Sequence, residues 1–152
     1  SLGPDPIVKM NEAARALGLT QTHVFNASGL DVTKSTSGAY GSAYDVARLA
    51  ATFYKDHPNF FELTTKPEVS ISSNPSADGD TTITAAATTE PLQSIPGFVA
   101  AKTGYTDLAG GNLVALFDLE PGLTVAAVAL GSTRDGRFTD IEAIITAARN
   151  AL

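Results

Sequence analysis

Apolar residues recur at helical spacing in three parts of the chain, residues 7–17, 42–54 and 137–152. Spacings of three and four residues place such side chains along one face of a helix, so each part predicts an amphipathic helix. Gly18 follows the first part and suits the position just after a helix end. Ser42 suits the capping position at the start of the second helix. The third helix is expected to begin at residue 137 or 138.

Three segments in the second half of the chain predict β-strands, residues 98–102, 112–118 and 124–130. They are apolar and are separated by Gly-rich or Pro-Gly turns, which are short enough for antiparallel neighbours. Residues 68–72 alternate between polar and apolar and also fit a strand. Residues 73–97 are rich in Ser, Thr, Asp, Gly and Pro, so they predict a loop or an irregular hairpin.

The order of these elements is helices first, a three-strand meander next and a helix last. This order predicts an α+β fold in which helices cover one face of an antiparallel sheet. The sequence has 152 residues, a length that suits one domain with a real core. Residues 1–152 are therefore expected to form a single unit.

The charge balance and the composition exclude several classes of function. Lys and Arg number 10 against 16 Asp and Glu, for a net charge of −6, and no basic run is present, so nucleic acid is not an expected partner. No apolar stretch approaches the roughly 20 residues that span a bilayer, and an export signal is expected upstream of these residues. The chain has no Cys, and its two histidines, His23 and His57, lack ligand spacing. We therefore expect no metal site and no cofactor.

The most distinctive polar segment is Lys102-Thr103-Gly104, which follows a predicted apolar strand. An ammonium and a hydroxyl group in this arrangement can bind a carboxylate through charge-assisted hydrogen bonds. Gly104 lets a ligand backbone approach closely, and an edge strand can pair with an extended peptide. A strand that simply ends before a turn can carry the same three letters, so the tripeptide alone does not distinguish a binding site from a turn.

Further blocks on both sides of the tripeptide make it more specific. They are Met10-Asn11, Thr22-His23-Val24-Phe25-Asn26, Gly29-Leu30-Asp31, Ser42-Ala43-Tyr44-Asp45-Val46-Ala47, Gly110-Gly111-Asn112-Leu113-Val114 and Arg134-Asp135-Gly136-Arg137-Phe138. In this order and spacing the chain closely resembles the D-alanyl-D-alanine carboxypeptidases of the low-molecular-mass penicillin-binding proteins, peptidase family S11. The resemblance covers nearly the whole chain, and it implies part of the β-lactamase/transpeptidase-like fold.

The resemblance also implies roles for the residues of the tripeptide. Lys102 matches the strand lysine that shapes the electrostatics of the catalytic site and contacts the substrate. Thr103 would contact the terminal carboxylate of the substrate, and Gly104 would permit its approach. Tyr105 and Thr106 follow the motif and are expected to line the cleft, although a surface turn explains these two residues equally well.

A fourth substrate-binding residue, Arg137, matches the family arginine that helps to hold the D-alanine carboxylate. A guanidinium group suits this role because it can bind a carboxylate through two parallel hydrogen bonds. The alternative is a solvated charge at a helix start. The helix dipole disfavours a cation there, which favours the functional interpretation.

Two further motifs are expected in this family, a Ser-x-x-Lys segment that supplies the nucleophile and the base, and a Ser-x-Asn segment. No Ser in the sequence has a Lys three residues later. Ser72-Ser73-Asn74 matches the second motif only as letters, because it lies between the wrong blocks. The resemblance therefore implies that the chain is the C-terminal portion of a penicillin-recognising domain, with the catalytic Ser and Lys in an N-terminal part that these residues lack.

Two interpretations of function stay open. In the first, the chain is part of a serine-type carboxypeptidase of the bacterial cell envelope, which removes the terminal D-alanine from peptidoglycan stem peptides and is trapped by β-lactams. The chain would then need the N-terminal part of the domain as its partner and would be inactive alone. In the second, it is a truncated, noncatalytic relative that binds a peptide or an envelope partner through an open sheet edge.

Overall fold

A computed structural model describes residues 5–72 and 82–152 of the chain. The described helices are α1 (Pro6–Ala16), α2 (Ala43–Asp56), a 3₁₀ helix (Pro58–Thr65), α3 (Glu90–Gln93) and α4 (Gly136–Asn150). The described strands are β1 (His23–Val24), β2 (Ala39–Tyr40), β3 (Glu68–Ser72), β4 (Thr82–Ala86), β5 (Phe98–Thr106), β6 (Gly110–Glu120) and β7 (Leu123–Ser132). Within this part of the chain, no helix has the length and apolar character needed to cross a membrane.

The largest sheet is an antiparallel meander in the order β5-β6-β7, so β6 is central and β5 lies at an edge. The helices of the chain and this antiparallel sheet confirm the predicted α+β fold. The strands are longer than predicted. Lys102 was expected at the end of a strand, but it lies in the middle of β5 opposite Val114, and pairing continues to Thr106 opposite Gly110. The motif is therefore held by the backbone ladder instead of a turn.

Helices cover both faces of this sheet, so the prediction that they cover one face is wrong. On one face, Ala101, Leu113 and Phe117 pack in a core with Ile141 and Ile145 of α4. On the other face, a second core holds Ala100 and Leu116 of the sheet with Ala50 of α2. Successive side chains of a strand point to opposite faces. The unbroken apolar run in β6 indicates a strand buried on both sides.

The predicted C-terminal end of α1 and the predicted start of α2 are confirmed. Gly18 follows α1 with φ of +70°, a left-handed conformation that glycine adopts without strain. The Oγ atom of Ser42 accepts a hydrogen bond of 3.1 Å from the backbone N–H of Asp45, which caps the first turn of α2. The last helix begins at Gly136, one residue before the earlier of its two predicted starts, 137 and 138.

Two buried polar side chains join these helices to the short strand β1 and to the two residues before it. The side-chain amide of Asn11 donates to the carbonyl oxygen of Val24, and its oxygen accepts from the N–H of the same residue. The buried carboxylate of Asp45 accepts hydrogen bonds of 2.8 Å from the N–H of Gln21 and from the hydroxyl of Thr22. These bonds fix residues 21–24 against α1 and α2.

The segment predicted as a loop or irregular hairpin is partly regular. β3 pairs with β4 in an antiparallel hairpin, and α3 follows it, an element that the sequence did not predict. Residues 73–81 lie outside the described part of the chain. The Ser72-Ser73-Asn74 match falls largely on them.

Candidate active site

All six residues that the sequence predicted for the site line one cleft of about 460 Å³. They are Lys102, Thr103, Gly104, Tyr105, Thr106 and Arg137. The motif strand β5 forms one wall of this cleft. The loop of residues 28–30 forms another wall, together with Thr88, Ala109, Asn112 and Arg134. The fold therefore brings together residues that are up to 109 positions apart in the sequence.

The alternation along β5 separates the two polar side chains of the motif. Thr103 is buried, whereas Lys102 is exposed and lies on the face of the sheet that packs against α2. The Nζ atom of Lys102 donates a hydrogen bond to the carbonyl oxygen of Thr103. Lys102 also lines an apolar groove of about 380 Å³ between β5, α2 and the 3₁₀ helix, which Phe53 and Phe61 line as well. The ammonium group thus stands between the cleft and this groove.

Arg137 is buried in the first turn of α4 and reaches across to the motif strand. Its Nη1 atom donates a hydrogen bond of 2.8 Å to the carbonyl oxygen of Gly104, and its guanidinium lies 5.0 Å from the ring centre of Phe138. Its buried Nε atom has no hydrogen-bond partner among the described residues. This burial excludes the alternative of a solvated charge at a helix start. A guanidinium has five N–H donors, so the bond to Gly104 leaves other donors for a ligand.

Thr88 is a cleft residue that the sequence did not indicate. Its hydroxyl oxygen lies 2.7 Å from the hydroxyl oxygen of Thr103, close enough for one to donate to the other. Thr88 itself is exposed, whereas the neighbouring Thr89 is buried, and the Thr89 hydroxyl donates to the carbonyl oxygen of Thr64. No sequence signal pointed to Thr88, because its segment reaches the cleft only through the packing of α3 and the 3₁₀ helix beside β5.

Asn112 organises the turn that follows the motif. Its side-chain amide donates to the carbonyl oxygens of Ala109 and Gly110 at 3.3 and 3.0 Å. Its side-chain oxygen accepts from the N–H of Gly131, at an irregularity in the pairing of β6 with β7. Thr106 adds a further bond, in which its hydroxyl oxygen accepts from the N–H of Ala109. This end of the cleft is therefore held by side chains of the sheet itself.

The opposite wall is a compact loop that Asn26 closes. The side-chain oxygen of Asn26 accepts from the N–H of Ser28 and of Gly29, and its amide donates to the carbonyl oxygen of Leu30. Asp31 connects this loop to the turn after β5, because its Oδ2 atom accepts a bond of 3.3 Å from the N–H of Leu108. The two walls thus meet at the end of the cleft.

The two histidines stay outside this site. The ring of His23 lies 4.9 Å from the ring of Phe25 and 5.8 Å from that of Tyr40, and His57 packs against Phe53. Within residues 5–72 and 82–152, no three His, Cys, Asp or Glu side chains are grouped so that they could hold a metal ion.

The cleft concentrates positive charge. Lys102, Arg134 and Arg137 line it, which is three of the ten Lys and Arg residues of the chain. Among the described residues, no Asp or Glu lines the cleft. The whole chain carries a net charge of −6, so the cleft differs in charge from the rest of the protein, and its positive charge favours anionic ligands.

Comparisons with protein families and with curated proteins both match D-alanyl-D-alanine carboxypeptidases. The family model described as D-alanyl-D-alanine carboxypeptidase matches residues 4–134. The chain is 31% identical over 133 residues to the D-alanyl-D-alanine carboxypeptidase DacB2 of Mycobacterium tuberculosis, which covers 86% of this chain and 42% of that protein. It is 29% identical over 137 residues to the D-alanyl-D-alanine carboxypeptidase DacA of Escherichia coli K12. This alignment covers 90% of this chain and 31% of that protein.

Solved structures show the same similarity. Penicillin-binding protein D2 of Listeria monocytogenes, in its ampicillin-bound form, matches with a TM-score of 0.76 and 30% identity. The match covers 95% of this chain and 56% of that protein. The chain therefore spans less than half of the two curated relatives and just over half of this solved structure.

Proposed function

The chain belongs to the D-alanyl-D-alanine carboxypeptidase family, and on this premise we propose that it supplies the Lys-Thr-Gly wall of the substrate cleft in a serine-type enzyme. The reaction is the removal of the terminal D-alanine from peptidoglycan stem peptides in the bacterial cell envelope. The ampicillin-bound relative supports β-lactams as further ligands of the same cleft.

One observation carries this proposal. The Lys102-Thr103-Gly104 motif lies on an edge strand, and Arg137 from a distant helix is buried against it and bonded to the Gly104 carbonyl. A buried guanidinium costs free energy, so a fold that keeps one needs compensating bonds. A ligand carboxylate at Thr103 and Arg137 would provide such bonds, which makes a peptide carboxyl terminus the chemistry that suits this wall.

A peptide bound in this way would extend along β5. Its terminal carboxylate would accept hydrogen bonds from the Thr103 hydroxyl and from Arg137, and its backbone would pair with the free edge of the strand. Gly104 leaves this side of the strand open, since a Cβ atom added there would meet only the Asn112 side chain, at 3.8 Å. Lys102 would add a positive charge beside the bond that is cleaved.

The covalent steps need a nucleophile and a base from a Ser-x-x-Lys segment, which we place outside these residues. The serine oxygen attacks the carbonyl carbon of the penultimate residue and transfers its proton to the lysine. D-Alanine leaves with a proton, and water then hydrolyses the ester. A β-lactam follows the first step only, because its ring opens and the leaving group stays attached.

The apolar groove beside Lys102 supports the same arrangement. It is lined by Val46, Leu49, Phe53, Phe61 and Val114, among others, and exposes almost no polar surface. A groove of this kind is normally covered by another apolar segment. In the proposal, residues 1–152 are the C-terminal portion of one domain, and the segment that carries the nucleophile packs in this groove next to the Lys102 ammonium.

Intact-mass spectrometry of the purified chain before and after incubation with a penicillin tests the proposal. We expect the mass of the 152-residue chain to stay unchanged, because it lacks the nucleophile. After addition of a polypeptide that carries the Ser-x-x-Lys segment of a relative, we expect a penicilloyl adduct on that second polypeptide. An adduct on the 152-residue chain itself contradicts the division of roles, and labelling of neither polypeptide in a stable complex contradicts the proposed site.

A noncatalytic binding module is a second candidate, favoured by the edge position of β5 and the exposed ring of Phe60. Such a module would bind a D-Ala-D-Ala peptide without a complement. It would also stay unlabelled when the Ser-x-x-Lys polypeptide is present. The same mass experiment, with peptide binding measured in parallel, therefore separates the two candidates.

A further inference from the structure

Three cationic side chains line the cleft, Lys102, Arg134 and Arg137. Arg134 lies outside the Lys-Thr-Gly motif and, unlike Arg137, has no hydrogen bond from its side chain among the described residues. It is exposed, and it lies in the segment between β7 and α4, three residues before Arg137. Arg137, by contrast, is buried and bonded to Gly104. Among the described residues, no hydrogen bond to the Arg134 side chain is present. Its charged group is therefore available to a ligand.

Tyr105 holds this guanidinium at the cleft. The Cζ atom of Arg134 lies 5.1 Å from the ring centre of Tyr105, a distance at which a cation is attracted to the face of an aromatic ring. Tyr105 comes directly after the motif and pairs with Gly111 in the sheet, so its backbone position is fixed. The pair thus presents a positive charge at a defined place, with less loss of side-chain freedom on binding than a lone surface arginine would have.

The position of the pair relative to the motif indicates which part of a ligand it meets. If a terminal carboxylate occupies Thr103 and Arg137, an extended ligand that continues along β5 passes Gly104 and reaches Tyr105. The ligand residues at this point precede the carboxyl-terminal dipeptide. A cation there favours an anionic side chain on those residues, and no described Asp or Glu of the cleft competes for it.

From this geometry we infer that Arg134 and Tyr105 form a second anion subsite, which selects peptides with a side-chain carboxylate upstream of the terminal D-Ala-D-Ala. The inference rests on the proposed function, because the terminal carboxylate sets the position of the ligand. The cleft then recognises a dicarboxylate peptide. Arg137 holds the terminal carboxylate, and Arg134 determines which upstream residue is preferred.

A paired titration of the ¹⁵N-labelled full chain tests this inference by NMR. The probes are N-acetylated tripeptides and tetrapeptides that end in D-Ala-D-Ala and carry either Glu or Gln at one upstream position. The amides of Gly104 and Tyr105 report binding. We expect the best Glu peptide to bind about two- to fivefold more tightly than its Gln partner, which is the range for an exposed ion pair.

The variant Arg134→Gln is expected to abolish this preference. Arg15→Gln is the matched control, because Arg15 is an exposed arginine of α1 outside the cleft and its loss changes the net charge equally. We expect Arg15→Gln to keep the preference for Glu.

The outcomes distinguish failure of the second subsite from failure of the proposed function. Equal binding of Glu and Gln peptides to the unchanged chain, or a preference that survives in Arg134→Gln, overturns the second subsite and leaves the proposed function intact. A preference that disappears equally in Arg15→Gln also overturns it, since net charge would then explain the effect. Failure of every D-Ala-D-Ala peptide to bind overturns both the subsite and the proposed carboxylate site.

Discussion

The hydroxyl oxygens of Thr88 and Thr103, two residues that line the cleft, lie 2.7 Å apart. A hydroxyl group rotates freely unless a partner fixes its proton. Either hydroxyl can be the donor. We propose that Thr88 donates, which makes it a positioning residue that leaves the Thr103 proton for a ligand. Because Thr103 is the proposed carboxylate contact, this pair joins the segment after β4 to ligand binding.

Replacement of Thr88 by Val should weaken binding of D-Ala-D-Ala peptides without unfolding the protein. Val keeps the shape of Thr but leaves the Thr103 hydroxyl without this partner. We expect a loss of affinity of about two- to tenfold, corresponding to one hydrogen bond of about 0.5–1.5 kcal/mol. Peptide titration measures the affinity. Thr89→Val is the control, because the Thr89 hydroxyl donates to the Thr64 carbonyl and not to Thr103. This replacement should lower the stability of the protein and leave its affinity for the peptide unchanged.

Replacement of Asp45 by Ala should destabilise the fold strongly. The carboxylate is 1% exposed and accepts bonds from the Gln21 N–H and the Thr22 hydroxyl. Bonds to a charged group contribute about 1.5–3 kcal/mol each, so a loss of about 3 kcal/mol is expected from urea denaturation. Ser42→Ala removes only the helix cap and should cost about 1 kcal/mol. An equal effect of the two changes would contradict the tie between α2 and the segment before β1.

Gly97 and Gly122 allow backbone strain to be separated from steric overlap. Both have positive φ, +74° and +83°, so Ala at either position suffers a similar penalty of about 1–2 kcal/mol. At Gly97 the added Cβ atom would also lie 2.1 Å from the carbonyl oxygen of Asp118, whereas at Gly122 no atom lies within 4 Å. We expect the free energy of unfolding of Gly97→Ala to be lower than that of Gly122→Ala by about 1 kcal/mol. Thermal unfolding of both variants checks the order.

Two substitutions of Asn112 should loosen different parts of the turn after the motif. Asn112→Asp keeps the oxygen that accepts from Gly131 but loses the donor to Ala109 and Gly110. Hydrogen exchange should therefore speed up at residues 107–110 while the Gly131 amide stays protected. Asn112→Ala should speed up hydrogen exchange both at residues 107–110 and at the Gly131 amide. Protection of the turn in either variant would show that backbone pairing alone holds it.

The local elements of this fold follow directly from local signals. The Ser42 cap, the Gly18 helix end and the three strands of the meander could be predicted because each depends on residues near in sequence. The six site residues could be predicted from linked motifs, and they do line one cleft. Their contacts with a substrate stay predictions.

Other features depend on contacts between distant segments. Thr88 reaches Thr103 through tertiary packing, and no spacing in the sequence relates the two residues. The sheet was expected to be covered on one face, but β6 is apolar at consecutive positions, and only the packing of both α2 and α4 against it explains that run. The pairing of β5 with β6 shifts in register between Phe98 and Ala100. Val99 lies at this shift, so its side chain packs in the same core as Ala100 instead of on the opposite face of the sheet.

The two-sided burial of β6 also limits how the length of this protein can change during evolution. Neighbouring residues such as Ala115 and Leu116 serve different cores, so one inserted or deleted residue within the strand would exchange their faces along the rest of its length. Small residues would then meet the space that Phe117 fills. Insertions and deletions among descendants of this sequence should therefore accumulate in the turns at either end of β6, and aligned homologues should show β6 itself without gaps.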